Sequence, residues 1–182
     1  RNPLQRAVSH YIHEWSEGRM GPDPIAEFAR HPEMVDYGRY GWQIIPWIEA
    51  YGPDAVLLTS LEQLNAAPQD ELARIARHIG LSQPAVWEEE LGAQNVSAER
   101  VRRLPLEGLL VNNPVATALR RALVPKRVRT AIRDARRIKT RPELPVTLKR
   151  NLEAQFLADR ATLASAIPGH PALRLCYPFA DD

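Results

Sequence analysis

The sequence predicts a mostly helical α/β layer structure with few parallel strands. Three observations carry that prediction. Apolar residues recur at helical spacing near both ends of the chain, one short uninterrupted apolar run lies between turn signals, and helices flank that run on either side. With 182 residues, 45% of them hydrophobic and 25% charged, the chain falls within the range of one ordinary domain with a core. Residues 1–182 are accordingly read as part of a single domain.

The first helix is announced by Asn2 as N-cap, Pro3 at the first helical position and Gln5 three residues after the cap, a variant of the capping box. Leu4, Val8, Tyr11, Ile12 and Trp15 form its apolar stripe, while Gln5, Ser9 and His13 line a polar face. Gly18, Gly21, Pro22, Pro24 and Pro32 then mark a loop-rich region with one short helix over Ile25 to Arg30. Trp42 to Tyr51 reads as a helix in which Pro46 imposes a kink or a later start. After the turn Gly52-Pro53-Asp54, the run Ala55 to Thr59 has the pattern of a strand buried on both faces of a parallel sheet. A helix from Pro68 to Ile79 follows, with acidic residues in its first turn, Arg74, Arg77 and His78 toward its end, and Gly80 as its stop. Residues Ser97 to Arg141 are Arg-rich and broken by prolines, which predicts short surface helices and loops. A last helix, Val146 to Ala166, carries Leu148, Leu152, Phe156 and Leu163 on one face.

Several function classes are disfavoured at this level. No window approaches the ~20 apolar residues of a membrane span, and the single cysteine, Cys176, excludes an internal disulfide. A cytoplasmic setting is therefore expected. The formal charge is only +2, with the basic side chains concentrated in the second half, so a local basic surface is expected rather than a globally basic protein. The stretch Arg120 to Arg141 lacks the aromatic interleaving of a nucleic-acid platform and is expected to be a solvated face or a surface for an anionic partner. His10 and His13 are spaced for ligation, but no third ligand has matching spacing, so no metal site is expected. Trp15, Trp42 and Trp47, at helical spacing beside aliphatic residues, are expected in the core.

Two blocks resemble the PAPS-dependent sulfotransferases, in particular the heparan sulfate and bacterial branch. The first, Arg1-Asn2-Pro3-Leu4-Gln5-Arg6-Ala7-Val8-Ser9-His10-Tyr11, is similar to that family's 3'-phosphate-binding motif, in which an Arg at a strand end and a Ser two helical turns later hold the cofactor's 3'-phosphate. The second runs from Asp36 to Leu81 and includes Gly38-x-Tyr40, an apolar helix with Trp47, the strand Val56-Leu57-Leu58, Glu62 and Leu64 in an acidic E-x-L turn, and Ile79-Gly80-Leu81. The last helix with its break at Pro168-Gly169 is similar to the family's C-terminal end. The resemblance spans roughly two thirds of the chain.

The resemblance implies a P-loop-NTPase-like sulfotransferase fold, here without its first strand and phosphosulfate loop, and an enzyme that transfers a sulfuryl group from 3'-phosphoadenosine 5'-phosphosulfate (PAPS) to a hydroxyl or amine. It implies Arg1 and Ser9 as cofactor-binding residues, and a small-molecule, lipid or carbohydrate acceptor facing Tyr40. It implies no catalytic residue within this chain, because the family's general base and Gly-rich loop lie before the position of Arg1. The chain, which opens on Arg1-Asn2-Pro3 without an initiator Met, is expected to continue a longer one. Arg100, Arg102, Arg103 and Lys139 are candidates for the family's late basic loop, with no choice among them. The alternative is a nonenzymatic helical module that binds nucleic acid or another polyanion through its Arg-rich segment; a nucleotide kinase is a third reading, disfavoured because it has no 3'-phosphate to grip.

Overall fold

The computed structural model describes residues 1–88 and 142–180. Its helices are α1 (Pro3–Ser16), α2 (Pro24–Arg30), α3 (Glu33–Asp36), α4 (Tyr40–Tyr51), α5 (Leu61–Ala66), α6 (Pro68–His78), α7 (Val146–Ala166) and α8 (Ala172–Leu175), with 3-10 turns at Pro53–Ala55 and Pro178–Ala180. The described residues are thus mostly helical. The expectations for Ser97 to Arg141, including Arg100, Arg102, Arg103, Lys139 and the exposed Arg120 to Arg141 stretch, fall outside them.

The core forms where α1 and α7 turn their apolar stripes toward each other. Leu4, Ala7, Tyr11 and Ile12 of α1 meet Leu152 and Phe156 of α7, with Phe28, Met34 and Tyr177 closing the ends. The α1 stripe expected from spacing is the one buried, with Val8 and Trp15 packed at its edge. The capping box is only half formed. Asn2 Oδ1 accepts from the Gln5 N–H at 3.1 Å, but the Asn2 N–H donates to Glu62 Oε1 of α5 at 2.7 Å rather than to Gln5. A carboxylate from another helix therefore takes the role that the local pattern assigned to Gln5, and α5 becomes tied to the start of α1.

Helices α4 and α7 make the closest crossing. Gly41 lies against the α7 backbone so tightly that a Cβ there would stand 2.6 Å from the Asp159 carbonyl oxygen and 3.1 Å from the Leu163 nitrogen. Asp159, itself buried, accepts from the Gly41 N–H at 2.7 Å and the Trp42 N–H at 2.9 Å, and so satisfies two of the free donors at the α4 N-terminus from across the interface. Pro46 sits inside α4 on its exposed side, so the helix runs through it. The start at Tyr40 is two residues earlier than the apolar pattern predicts.

Two expectations are corrected. Ala55 to Thr59 is not a buried strand: Ala55 ends a 3-10 turn and is exposed, Val56 to Leu58 are half-buried, and Thr59 is exposed. The backbone is extended at Val56 (φ −114°, ψ 104°) and again at Ser60 (φ −138°, ψ 154°), so the residues do prefer a strand conformation. A ladder also needs a neighbouring strand, and none exists among the described residues. The Leu58 carbonyl is instead taken by the Arg74 guanidinium of α6 at 2.6 Å. Secondly, Trp42 and Trp47 are 57% and 60% exposed, not core. Because Gly41 fixes which face of α4 meets α7, both indoles fall on the outer side, where Trp47 stacks on Tyr51 at 5.9 Å and the Arg39 guanidinium lies over Trp42. Trp15 does pack on the core.

Candidate functional site

Arg1 and Ser9 border one open cleft of about 770 Å3, which runs along the edge between the polar and apolar faces of α1, with Gln5 and Ser9 on one side and Leu4, Val8 and Ile12 on the other, and is bounded opposite by the approach to α7. The site is built by the elements just described. Glu62 holds the first turn of α1 through Asn2, which places Arg1 at the head of the cleft, and the α1 register that buries Leu4 and Tyr11 leaves Gln5 and Ser9 lining it. Leu144 and Leu152 anchor the start of α7 in the core and thereby set Lys149 on the opposite wall. Lys149 was not singled out in the sequence, where it is one exposed lysine on a helix that reads as structural. Only the anchoring of α7 beside α1 brings it near Arg1 and Ser9.

The Arg1 guanidinium, the Ser9 hydroxyl and the Lys149 ammonium have no hydrogen bond or ion pair with any described residue. This contrasts with other cations of the chain: Arg19, Arg30, Arg39 and Arg74 are each paired with a carboxylate. Glu143 and Glu153 also line the cleft, and its apolar wall is formed by Val8, Ile12 and Phe179. The volume is within the ~300–1,000 Å3 range of small-molecule sites. Charged donors with no partner among the described residues can take an anionic group, while Glu143 and Glu153 balance the formal charge of the lining.

Tyr40 is not in this cleft. It lines a second, smaller cavity of about 140 Å3 with Ile44, Leu58, Leu163 and Tyr177, and Arg1 is the residue that borders both spaces. Burial pushes the Tyr40 phenol up to about 12, against the opposing pull of Arg6, so it stays protonated and can donate. Glu62, by contrast, is held below the ordinary carboxylate range: burial alone would raise it, but the Asn2 N–H and its own backbone N–H outweigh that, helped by the Cys176 thiol, which donates to Oε2 at 3.3 Å.

The histidines stand apart from both spaces. His10 and His13 each approach Glu14 Oε1, at 3.8 and 3.9 Å, and no group of three His, Cys, Asp or Glu side chains among the described residues is placed to hold a metal ion. His10 is pushed down from its ordinary value by burial and then by Arg6. His170 is pushed down by burial and then by Arg74, against an opposing pull from the Leu58 backbone; its Nδ1 accepts from the Ala172 N–H at 3.2 Å. The neutral ring is therefore the one the fold uses. Both histidines bind protons more weakly folded than unfolded, so stability is expected to be full above the unfolded value near ~6.5 and to fall as pH drops below it. Urea midpoints measured from pH 7.5 to 5.5 check this. His170→Gln is expected to flatten the slope in that window, and an unchanged slope in both His170→Gln and His10→Gln would contradict the assignment.

No helix among the described residues is long and apolar enough to cross a membrane. The chain matches no family model, and neither a curated protein nor a solved structure is found to be similar to it.

Proposed function

We propose that this chain is part of a PAPS-dependent sulfotransferase and supplies the 3'-phosphate-binding half of its cofactor site. The observation that carries the reading is that Arg1 and Ser9, paired by the motif they resemble, border one cleft with uncommitted donors, and that Lys149 joins them from α7. In this reading the Arg1 guanidinium and the Ser9 hydroxyl donate to the 3'-phosphate, Lys149 adds a third positive contact, and the apolar wall of Val8, Ile12 and Phe179 accommodates the nucleoside. The fold of the whole enzyme is P-loop-like, and the Val56 to Leu58 segment, extended at Val56, is the part of this chain that would join its parallel sheet. Transfer rests on positioning the two reactants in line and on neutralising charge at the bridging oxygen. The residues doing so, and the general base, are not assigned to this chain. The acceptor is a small molecule, lipid or carbohydrate.

Nucleotide titration of the full chain tests the proposal. Arg1→Ala is expected to weaken binding of adenosine 3',5'-bisphosphate by about 1.5–3 kcal/mol, the range for hydrogen bonds to a charged group, and Ser9→Ala by less. Lys149→Ala, at an exposed position, should cost about 1 kcal/mol at most. The losses should be much smaller for adenosine 5'-phosphosulfate, which has no 3'-phosphate. Equal losses for the two ligands would mean that these residues do not read the 3'-phosphate, and the cofactor assignment would fall.

A further inference from the structure

We propose that the outer face of α4 docks the chain on a lipid surface, in the headgroup zone of a bilayer of zwitterionic lipids. Helix α4 is apolar around most of its circumference, and Glu49 is its only charged residue. One side is used inside the fold, where Gly41 meets α7 and Ile44, Ile45 and Ile48 are half-buried. The other side carries Trp42, Pro46, Trp47 and Tyr51. All four are exposed, the three aromatic residues by 57%, 60% and 66%. A helix that is apolar all round is normally covered all round, and α4 is covered on one side.

Area, ring chemistry and charge select the occupant. The three aromatic side chains together expose roughly 300–450 Å2, about half of the ~800 Å2 that each partner contributes to a stable protein interface. A second copy of this chain resting on α4 would be held too weakly, whereas a bilayer surface needs no matching shape. The residues are Trp and Tyr rather than Leu and Phe. Their rings combine an apolar body with a polar tip, and such rings settle at the level of lipid headgroups. Trp47 and Tyr51 are stacked, with centroids 5.9 Å apart and an interplanar angle of 15°, so they enter that zone as one unit. Charge then decides the lipid. The Arg39 guanidinium over Trp42 is already paired with Asp36 at 3.3 Å, while Glu49 on α4 and Asp54 just beyond its end have no ion pair among the described residues. The face therefore lacks the free Lys and Arg that draw a protein to anionic lipids. A lipid without net charge, such as phosphatidylcholine, meets it without repulsion.

This face does not rest on the nucleotide reading, since neither Trp42 nor Trp47 borders the cleft. The test is flotation of the full chain with vesicles of phosphatidylcholine, with and without phosphatidylserine, together with quenching of tryptophan emission by brominated phosphatidylcholine. Wild type is expected to float with pure phosphatidylcholine, to be quenched there, and to gain nothing from phosphatidylserine. Trp42→Gln and Trp47→Gln should each weaken flotation by roughly tenfold and leave the far-UV circular dichroism unchanged, because both side chains lie outside the core. Glu49→Lys should leave binding to phosphatidylcholine as it is and strengthen binding to vesicles with phosphatidylserine by roughly fivefold or more. A wild type that does not float with phosphatidylcholine overturns the proposal. So does flotation that requires phosphatidylserine and is lost in salt, which would move the contact to the Arg120 to Arg141 stretch. A vesicle-free chain that sediments as a dimer in wild type and as a monomer in Trp47→Gln also overturns it, because α4 would then join two copies. Nucleotide affinity should be unchanged in both Gln variants, so failure of the cofactor assignment, seen in wild type without vesicles, stays distinct from failure here.

Discussion

Asp159→Ala is expected to destabilise the fold by about 3–4 kcal/mol, visible as a fall in Tm on the order of 10 °C and a matching drop in the urea midpoint. The carboxylate is buried and accepts from two backbone N–H groups that no residue of α4 itself can satisfy. Its removal leaves the Gly41 N–H buried without an acceptor and strips α4 of its cap, each worth roughly 1–2 kcal/mol or more when the acceptor is charged. The substitution also opens space in the main helix crossing. Asp159→Asn keeps one carbonyl oxygen but turns an NH2 toward the second donor, so it should recover less than half of the loss. A cost under 1 kcal/mol for the alanine variant would show that water caps α4 as well as the carboxylate does.

Gly41→Ala should destabilise by about 2–3 kcal/mol even though alanine is the better helix former by ~1 kcal/mol. The new methyl carbon would stand 2.6 Å from a backbone oxygen of α7, and backbone cannot rotate away as a side chain can. The two helices must separate, and the bonds from Asp159 to Gly41 and Trp42 lengthen with them. The two substitutions should therefore be less than additive: the double variant is expected to cost about 1 kcal/mol less than the sum, because the second change acts on an interface already loosened. Chemical denaturation of the three variants measures this. Strict additivity would mean that the close approach and the cap act independently. The crossing matters beyond stability because α4 presents Tyr40 to the small cavity and α7 presents Lys149 to the cleft.

Much of the helical framework was legible in the residues. Asn2-Pro3 and Gly80 are local signals whose physics is complete within a few residues, and α1 begins and α6 stops beside them. Asp23-Pro24 is another, where α2 starts one residue before the expected Ile25 because Pro24, expected in the loop, takes the first helical position. The long α7 follows from its apolar stripe. That same stripe carried an unread signal: Leu152, Phe156, Asp159 and Leu163 are spaced four, three and four apart, so Asp159 lies on the buried face. A carboxylate there requires donors, either from a cationic side chain or from the free N–H groups at the N-terminus of another helix, and here it finds the latter.

What the sequence by itself determined about this protein is local: where helices start and stop, which stripe of α1 and of α7 is apolar, and that Gln5 and Ser9 share a polar face. These depend on backbone dihedrals and on the 3.6-residue period, both set within a turn or two. The tertiary structure alone decided the rest. Whether Val56 to Leu58 forms a strand depends on a partner for its backbone, and which side of α4 is buried depends on how closely Gly41 lets α7 approach. The juxtaposition of Arg1, Ser9 and Lys149 depends on two helices more than a hundred residues apart. Contacts between distant segments leave no period in the chain, so they become visible only once the helices are packed.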